Sequence, residues 1–346
     1  MVKISLMFLG LFCLSCAFNG TDKTDTLPSN NLSVAFYNLD NLYDTINNSK
    51  TNDDEFTPQG KNKWNTYRYK QKLIKLSKVL SDFDGKSSPD VLGVCEIENK
   101  SVLMDLSNAI NSSNYEIVHS DSRDERGADV ALLFNKQKLK LLSFKKYTPV
   151  FKDDTSDKTR DILWVKLLCT SSLDTLQFIV CHFPSRREGQ IKSEPKRIEV
   201  AKLCKKAINE NCNLKTQNLI VMGDFNDEPS NKSIKEVIGA ANFKKQSDAS
   251  IVNLMFQFSE NGEGTYRYKD KWNVLDQFLL SNKLISSKTT HYVTNSVFIK
   301  NEKWMLQTGK FAGYPFRTYA GNKWLNGYSD HLPIGLRIQL NDKKKD

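Results

Sequence analysis

Polar residues able to bind a cation and activate water fall, group after group, at the ends of apolar runs. Residues 218 to 229 read Asn-Leu-Ile-Val-Met-Gly-Asp-Phe-Asn-Asp-Glu-Pro. The unbroken run Leu219 to Met222 gives way at Gly223 to Asp224, Asn226 and Asp227. Such a run suits a strand buried on both faces. Carboxylates and an amide at its mouth are costly to bury unless paired, hydrated or bound to a metal. A site handling a cation and a phosphate needs such groups. The plain alternative is a polar turn, for which Gly, Asn, Asp and Pro are ordinary residues.

The arrangement recurs. Asn38 follows Phe36-Tyr37, and Glu96 follows Val94-Cys95 with Glu98 two residues on. His182 follows Val180-Cys181, Asp276 opens the run to Leu280, and Asp330 and His331 precede the last run. Taken singly, Asn38 reads equally as a turn residue, and Glu96 and Glu98 as caps of a helix starting near Ser101. The histidines read equally as satisfied core groups. Taken together they form a set, because the chain has only 4 histidines and two of them stand at run ends beside carboxylates. Imidazoles so placed are where pKa tuning is expected. His119 and His291 lack such neighbours and read as structural or exposed. Asp227 is left as a turn residue.

Basic and aromatic residues flank these groups. Arg186 and Arg187 follow His182, Arg126 precedes Asp129, and Arg160 precedes Ile162. They could clamp phosphates bidentately or lie in a solvated loop. Tyr266, Tyr268 and Trp272 are interleaved with Arg267, Lys269 and Lys271 just before Asp276. They could stack bases beside phosphate contacts, or form a packed hairpin with exposed lysines.

The elements that must position these groups are mostly strands. Runs of strand length include Val34–Tyr37, Val91–Cys95, Val130–Phe134, Ile162–Leu168, Leu176–Cys181, Phe278–Leu280 and Pro333–Leu340. Several alternate, as antiparallel strands with one half-wet face do. Helical periodicity appears at Leu73, Leu76, Leu80 and Phe83, and at Val200, Leu203, Cys204, Ala207 and Ile208. Each stripe can cover one sheet face. Helices are too few for strict β-α-β alternation, so the reading is α/β: two packed mixed, mainly antiparallel sheets with outer helices.

The chain has 346 residues, 39% hydrophobic and 26% charged, a globular composition. Net charge is +10, which favours polyanionic partners but does not by itself establish nucleic acid. Lys3 and the apolar stretch Ile4–Phe12 read as an export signal, too short to span a bilayer comfortably. Leu14-Ser15-Cys16 is similar to the end of a bacterial lipoprotein signal, which would lipidate Cys16 and anchor the protein to a membrane. Ser15-Cys16-Ala17 alternatively reads as an ordinary small-x-small cleavage site. The division expected is a signal over 1–16, a flexible tether over 17–31 and one catalytic domain over 32–342. The five cysteines past the signal show no C-x-x-C spacing, so a thiolate zinc site is not expected. Cys204 and Cys212 could pair. No protein partner is indicated, and a monomer is expected.

One ordered set covers 32 to 341: Asn38, Pro89-Asp90-Val91 through Glu96, His182-Phe183-Pro184, Gly223-Asp224-Phe225-Asn226, Leu275-Asp276-Gln277 and Ser329-Asp330-His331. This set resembles the endonuclease/exonuclease/phosphatase superfamily, which includes exonuclease III-type and pancreatic-type deoxyribonucleases, inositol polyphosphate 5-phosphatases and neutral sphingomyelinases. Phe36–Leu42, Arg126–Leu133 and His182–Arg187 are most similar to its secreted and lipoprotein bacterial branch. The resemblance implies a four-layer α/β sandwich with the site at one edge and a hard divalent cation, Mg²⁺ or Mn²⁺. It implies Glu96 as main metal ligand, helped by Asn38 and by Asp330 or waters. Asp224 would position or deprotonate the attacking water, and Asn226 would bind the scissile phosphate. His331 would act at the transition state, oriented by Asp276 or Asp330. His182 could protonate the leaving oxygen. Arg186, Arg126 and Tyr268 are the candidate substrate contacts. The resulting expectation is an exported, metal-dependent nuclease or phosphodiesterase acting on DNA or RNA. The alternatives are a phosphatase or phospholipase on small esters or lipid headgroups, and a noncatalytic surface lipoprotein.

Overall fold

The computed structural model describes residues 30 to 341, apart from 86, 111 to 113, 152 to 154 and 245 to 248. The expected signal and nearly all of the expected tether lie outside these residues. The first half of the chain forms β1 (Asn31–Leu42), β2 (Val91–Ile97), β3 (Tyr115–His119) and β4 (Asp129–Asn135). Then come β5 (Leu139–Tyr147), β6 (Ile162–Cys169), β7 (Thr175–His182), β8 (Asn218–Asp224), β9 (Ala240–Asn242) and β10 (Ile251–Asn253). A separate hairpin, β11 (Tyr266–Tyr268) and β12 (Lys271–Asn273), precedes β13 (Asp276–Ser281). The short strands β14 (His291–Tyr292) and β15 (Phe298–Ile299) are followed by a second small hairpin, β16 (Tyr319–Ala320) and β17 (Lys323–Trp324), and by β18 (Ile334–Gln339).

Two seven-stranded sheets result. One runs β14-β18-β1-β2-β4-β3 with β15 also on β18, and the other runs β5-β6-β7-β8-β13-β10-β9. Each contains one long parallel pair, β1 with β2 and β7 with β8. A parallel pair needs a crossover. The chain supplies it with α1 (Thr66–Leu80) between β1 and β2 and α3 (Gln190–Asn211) between β7 and β8, while α2 (Lys100–Ala109) lies between β2 and β3. Asn65 and Asn99 cap α1 and α2 by accepting from Arg68 N and Val102 N. The cap of the second helix is therefore Asn99, which leaves Glu96 and Glu98 free for other work.

The alternating strands feed three apolar clusters. Phe36, Phe178, Met222, Phe278 and Ile334 fill the space between the sheets. Leu73, Leu76, Leu80, Val102 and Leu106 seal the outer face of the first sheet, and Val200, Cys204, Ala207 and Ile208 that of the second. The layers are thus helix, sheet, sheet, helix. Gly93 allows the sheets to approach, since a Cβ there would lie 2.8 Å from Met222 Cε. Each buried large apolar side chain contributes about 1.5–3 kcal/mol. A core of this extent can hold a few strained residues at its edge. All five described cysteines are free and buried, so Cys204 and Cys212 do not pair.

Candidate active site

Register brings the scattered polar groups to one edge. Asn38 is the partner of Cys95 next to Glu96, and His182 is the partner of Asp224, so both parallel pairs end at the same place. Antiparallel neighbours start there: Asp276 pairs with Asp224 on β8, and Ser329 to His331 lead into β18 beside β1. Sites outside the carboxyl ends of parallel strands are a general property of α/β sheets.

The backbone at this edge is strained. Asp40, Asn41, Glu96 and Asn226 have φ of 49°, 59°, 58° and 49°. Left-handed backbone at non-glycine residues costs on the order of 1–3 kcal/mol each and persists where the surroundings over-determine it. At Glu96 the cause is visible. Cys95 pairs with Val130 and Ile97 with Asp129, so Glu96 is the extra residue of a bulge. A bulge re-aims its side chain. Glu96 Oε2 accepts from Asn41 N at 3.1 Å, and Oε1 lies 3.9 Å from His182 Nε2.

Three nitrogens converge on one oxygen. Asp224 Oδ2 lies 3.1 Å from Asn38 Nδ2, 3.5 Å from His182 Nε2 and 3.8 Å from His331 Nε2. Its other oxygen accepts from Asn226 N at 2.9 Å. Burial and the neighbouring Asp276 push the Asp224 carboxyl up to about 7, against the pull of His331. Asn226 donates one amide hydrogen to Phe183 O at 3.0 Å and keeps its second donor.

The two histidines are tuned in opposite directions. His331 Nδ1 meets Asp276 Oδ2 at 2.7 Å, which makes Asp276, not Asp330, its orienting partner. Burial would lower His331, but Asp276 and Asp224 outweigh it and hold the imidazole well above its ordinary value. His182 is pushed well below, first by burial and then by Arg160 and Arg126. Its Nδ1 has no hydrogen-bond partner among the described residues. A buried neutral imidazole is a poor resident proton donor. Of the two imidazoles, His331 is therefore the one held charged.

On the Glu96 side the donors are oxygens. Asn38 Oδ1 accepts from Asp40 N at 3.0 Å. Asp40 is pushed up to about 6 by burial and then by Asp330, with Glu96 adding to it. Crowded carboxylates with oxygen-only donors fit a hard cation held by Glu96 and Asn38. Asp330 is instead ion-paired with Arg317, so its negative charge is already engaged. Sequence reasoning missed Asp40 and its partner Lys72, whose ammonium is fully buried against Asp40 O at 3.2 Å, Thr318 Oγ1 at 2.6 Å and Tyr328 O at 2.8 Å. Lys72 falls on the stripe Tyr69, Leu73, Leu76, and a charge on an apolar stripe was the available signal.

The expected substrate contacts divide. Arg126 lines a cavity of about 240 Å³ with Glu96, Arg160, His182 and Arg187. Arg186 does not line it. Its guanidinium is used on Asn226 O at 2.5 Å, Asn231 Oδ1 at 2.9 Å and Asp227 Oδ1 at 3.2 Å. Tyr268 lines a separate cavity beside Asp330. Asp227 is more than a turn residue: it is buried, 2.8 Å from Arg197 Nε and accepting from Ser233 Oγ at 2.6 Å. His119 is not without acidic neighbours, since β3 and β4 bring its Nε2 to 2.9 Å from Asp129 Oδ2.

Comparison with known proteins places this geometry. The model of the Endonuclease/Exonuclease/phosphatase family matches residues 33–340. A search of curated proteins finds no match. Among solved structures, an endonuclease/exonuclease/phosphatase family protein from Bacteroides thetaiotaomicron is similar at 16% identity, covering 89% of this chain and 97% of that one, with a TM-score of 0.54. A mannosyl-6-phosphatase of the same organism gives 16% identity, 89% and 99% coverage and a TM-score of 0.53. TDP2 of D. rerio, complexed with a single-strand DNA product, gives 13% identity, 89% and 98% coverage and a TM-score of 0.55. With the family model spanning both sheets and every strand end of the site, the chain belongs to the endonuclease/exonuclease/phosphatase family.

Proposed function

We propose that this chain is an exported, Mg²⁺-dependent phosphodiesterase that cleaves DNA or RNA. The observation that carries the reading is the convergence of Asn38, His182 and His331 on one oxygen of Asp224, beside Glu96 on its bulge. A water held by Asp224 finds a carboxyl whose proton affinity suits a general base near neutral pH. Asn226 offers its second amide hydrogen to the phosphate. His331, kept charged by Asp276, stabilises the developing negative charge and donates a proton to the leaving oxygen. His182, in the tautomer that carries its proton on Nε2, donates a neutral hydrogen bond at the same phosphate. A divalent cation on Glu96 and Asn38 would supply the charge that polarises a phosphoryl oxygen. Export, with Cys16 as a lipid anchor, rests on residues 1 to 16 alone.

A second reading, a phosphatase of small phosphate monoesters, is favoured by the cavity where Arg126, Arg160 and Arg187 gather beside Glu96, since clustered guanidiniums suit a dianion. One panel separates the two. The protein is incubated with plasmid DNA, RNA, bis(p-nitrophenyl) phosphate and mannose 6-phosphate, each with Mg²⁺ and with EDTA. EDTA-sensitive cleavage of nucleic acid, lost in Glu96→Ala, is expected. Turnover of the monoester alone would favour the second reading, and no turnover of any ester would defeat both.

A further inference from the structure

Beside the catalytic edge, the β11–β12 hairpin and the segment from Gln307 to Ala320 enclose a cavity of about 200 Å³. We infer that this cavity is a subsite for a single nucleobase attached to the phosphate at Asp224 and His331. The inference deepens the proposed phosphoester reading and rests on it for the position of the phosphate.

Continuity with the site is the first argument. Tyr266 forms a backbone bridge with His331, and their rings lie 4.9 Å apart at 35°. Asp330 lines the cavity as well. A group entering it therefore lies one residue from the imidazole that meets the phosphate.

Ring chemistry is the second. Tyr268 and Phe311, 57% and 50% exposed, line the cavity together with Tyr314. Half-exposed aromatic rings beside a phosphate-handling edge match a planar ring in shape and dispersion. The platform is ordered beforehand. Arg267 sits 4.8 Å above the Tyr314 ring and 5.7 Å from that of Trp272, and donates to Ala312 O at 3.4 Å. Groups fixed in advance lose less entropy on binding.

Polarity is the third, and it decides the ring's class. Arg267, Arg317 and Asp330 interrupt the apolar lining. A lipid chain would desolvate the Arg317–Asp330 pair and Arg267 with nothing gained in return, whereas a heteroaromatic ring carries donors and acceptors on its edge. A cavity of this size takes one ring system, so the base must be out of a duplex stack, which favours single strands or ends.

The test pairs two esters with the same leaving group, thymidine 5′-(p-nitrophenyl phosphate) and methyl p-nitrophenyl phosphate, with Mg²⁺. The expected wild-type kcat/KM ratio favours the thymidine ester by roughly tenfold or more, the range of one base–aromatic stack. Phe311→Ala and Tyr268→Ala, both at exposed positions, should each bring the ratio toward one. A wild-type ratio near one, or a ratio unmoved in both variants, overturns the inference. A binding arm stands apart from catalysis: calorimetry with thymidine 5′-monophosphate and with 2-deoxyribose 5-phosphate. Tighter binding of the nucleotide, lost in Phe311→Ala, supports the subsite even if neither ester turns over, in which case only the hydrolase reading falls. Equal affinities overturn the subsite even if both esters are cleaved.

Discussion

His331 and His182 approach the same oxygen of Asp224 from different sheets, but their surroundings are opposed. The His331 side is acidic: Asp276 and Asp224 face the imidazole, and Asp276 lies 2.7 Å from its Nδ1. The His182 side is mixed: Asp224 and Glu96 lie 3.5 and 3.9 Å from its Nε2, but burial and the field of Arg160 and Arg126 prevail, and Nδ1 has no partner among the described residues. Opposed environments push two like groups to different protonation states, which is how one fold obtains both a proton donor and a neutral hydrogen-bonding group at one pH. The contrast is built by the sheets. Asp276 arrives because β13 starts where β8 ends, and Arg160 because the segment before β6 passes Asp124 and Phe183, which its guanidinium contacts at 3.3 and 2.8 Å.

If the contrast is functional, its acidic side matters most to turnover. His331→Ala should lower kcat for a phosphodiester, per folded molecule, by about 10⁴-fold, the upper range for a positioned acid–base group. Next is Asp276→Asn, which keeps a hydrogen-bonding amide but removes the charge, with an expected loss of about 10³-fold. Asp227→Ala is its control. Asp227 is also a buried aspartate paired with a cation, yet the cation is Arg197, which cannot shed its charge. Removing it should cost about 3–5 kcal/mol, read as a fall in Tm, while the folded fraction keeps its turnover. Equal loss of turnover in the two variants at matched folded fraction would erase the distinction. His182→Ala should cost less, about 10²-fold, because a neutral partner supplies less transition-state charge. The smallest effect is electrostatic. Arg126→Gln removes one cation from the His182 field, so the ¹⁵N-detected midpoint of that imidazole should move to higher pH, whereas that of His331 should not follow.

Much of this edge was legible from sequence because its two signals are local. An unbroken apolar run marks a doubly covered strand, and a polar residue at either end of it marks the strand's mouth, so Asn38, Glu96, His182, Asp224 and Asp276 could be placed before any packing was known. What sequence could not supply is pairing across distance. Asp227 looked like a turn residue because Arg197 lies thirty positions earlier on α3. Arg197 does fall in step with Val200, Ala201 and Cys204, so the charge on that stripe was a usable sign. The same sign was available at Lys72. His119 looked unaccompanied because Asp129 reaches it only through β3–β4 pairing. The choice between Asp276 and Asp330 for His331 depended on Arg317, which occupies Asp330 from a loop with little periodicity. The strands β14 to β17 have two residues each, too short for an alternating pattern to show.

The opposed tuning predicts a bell-shaped profile. Asp224 must be ionised to take a proton from water, so the rate falls as pH drops below about 7. His331 must keep its proton, so the rate falls again as pH rises through its elevated value. Asp276 raises both groups, so Asp276→Asn lowers both and moves the whole bell toward acid. The most direct measurement is therefore kcat against pH for bis(p-nitrophenyl) phosphate with saturating Mg²⁺, in wild type and Asp276→Asn. The account predicts a weaker, acid-shifted bell in the variant. A variant profile that keeps the wild-type limbs, or shifts toward alkaline pH, would contradict it.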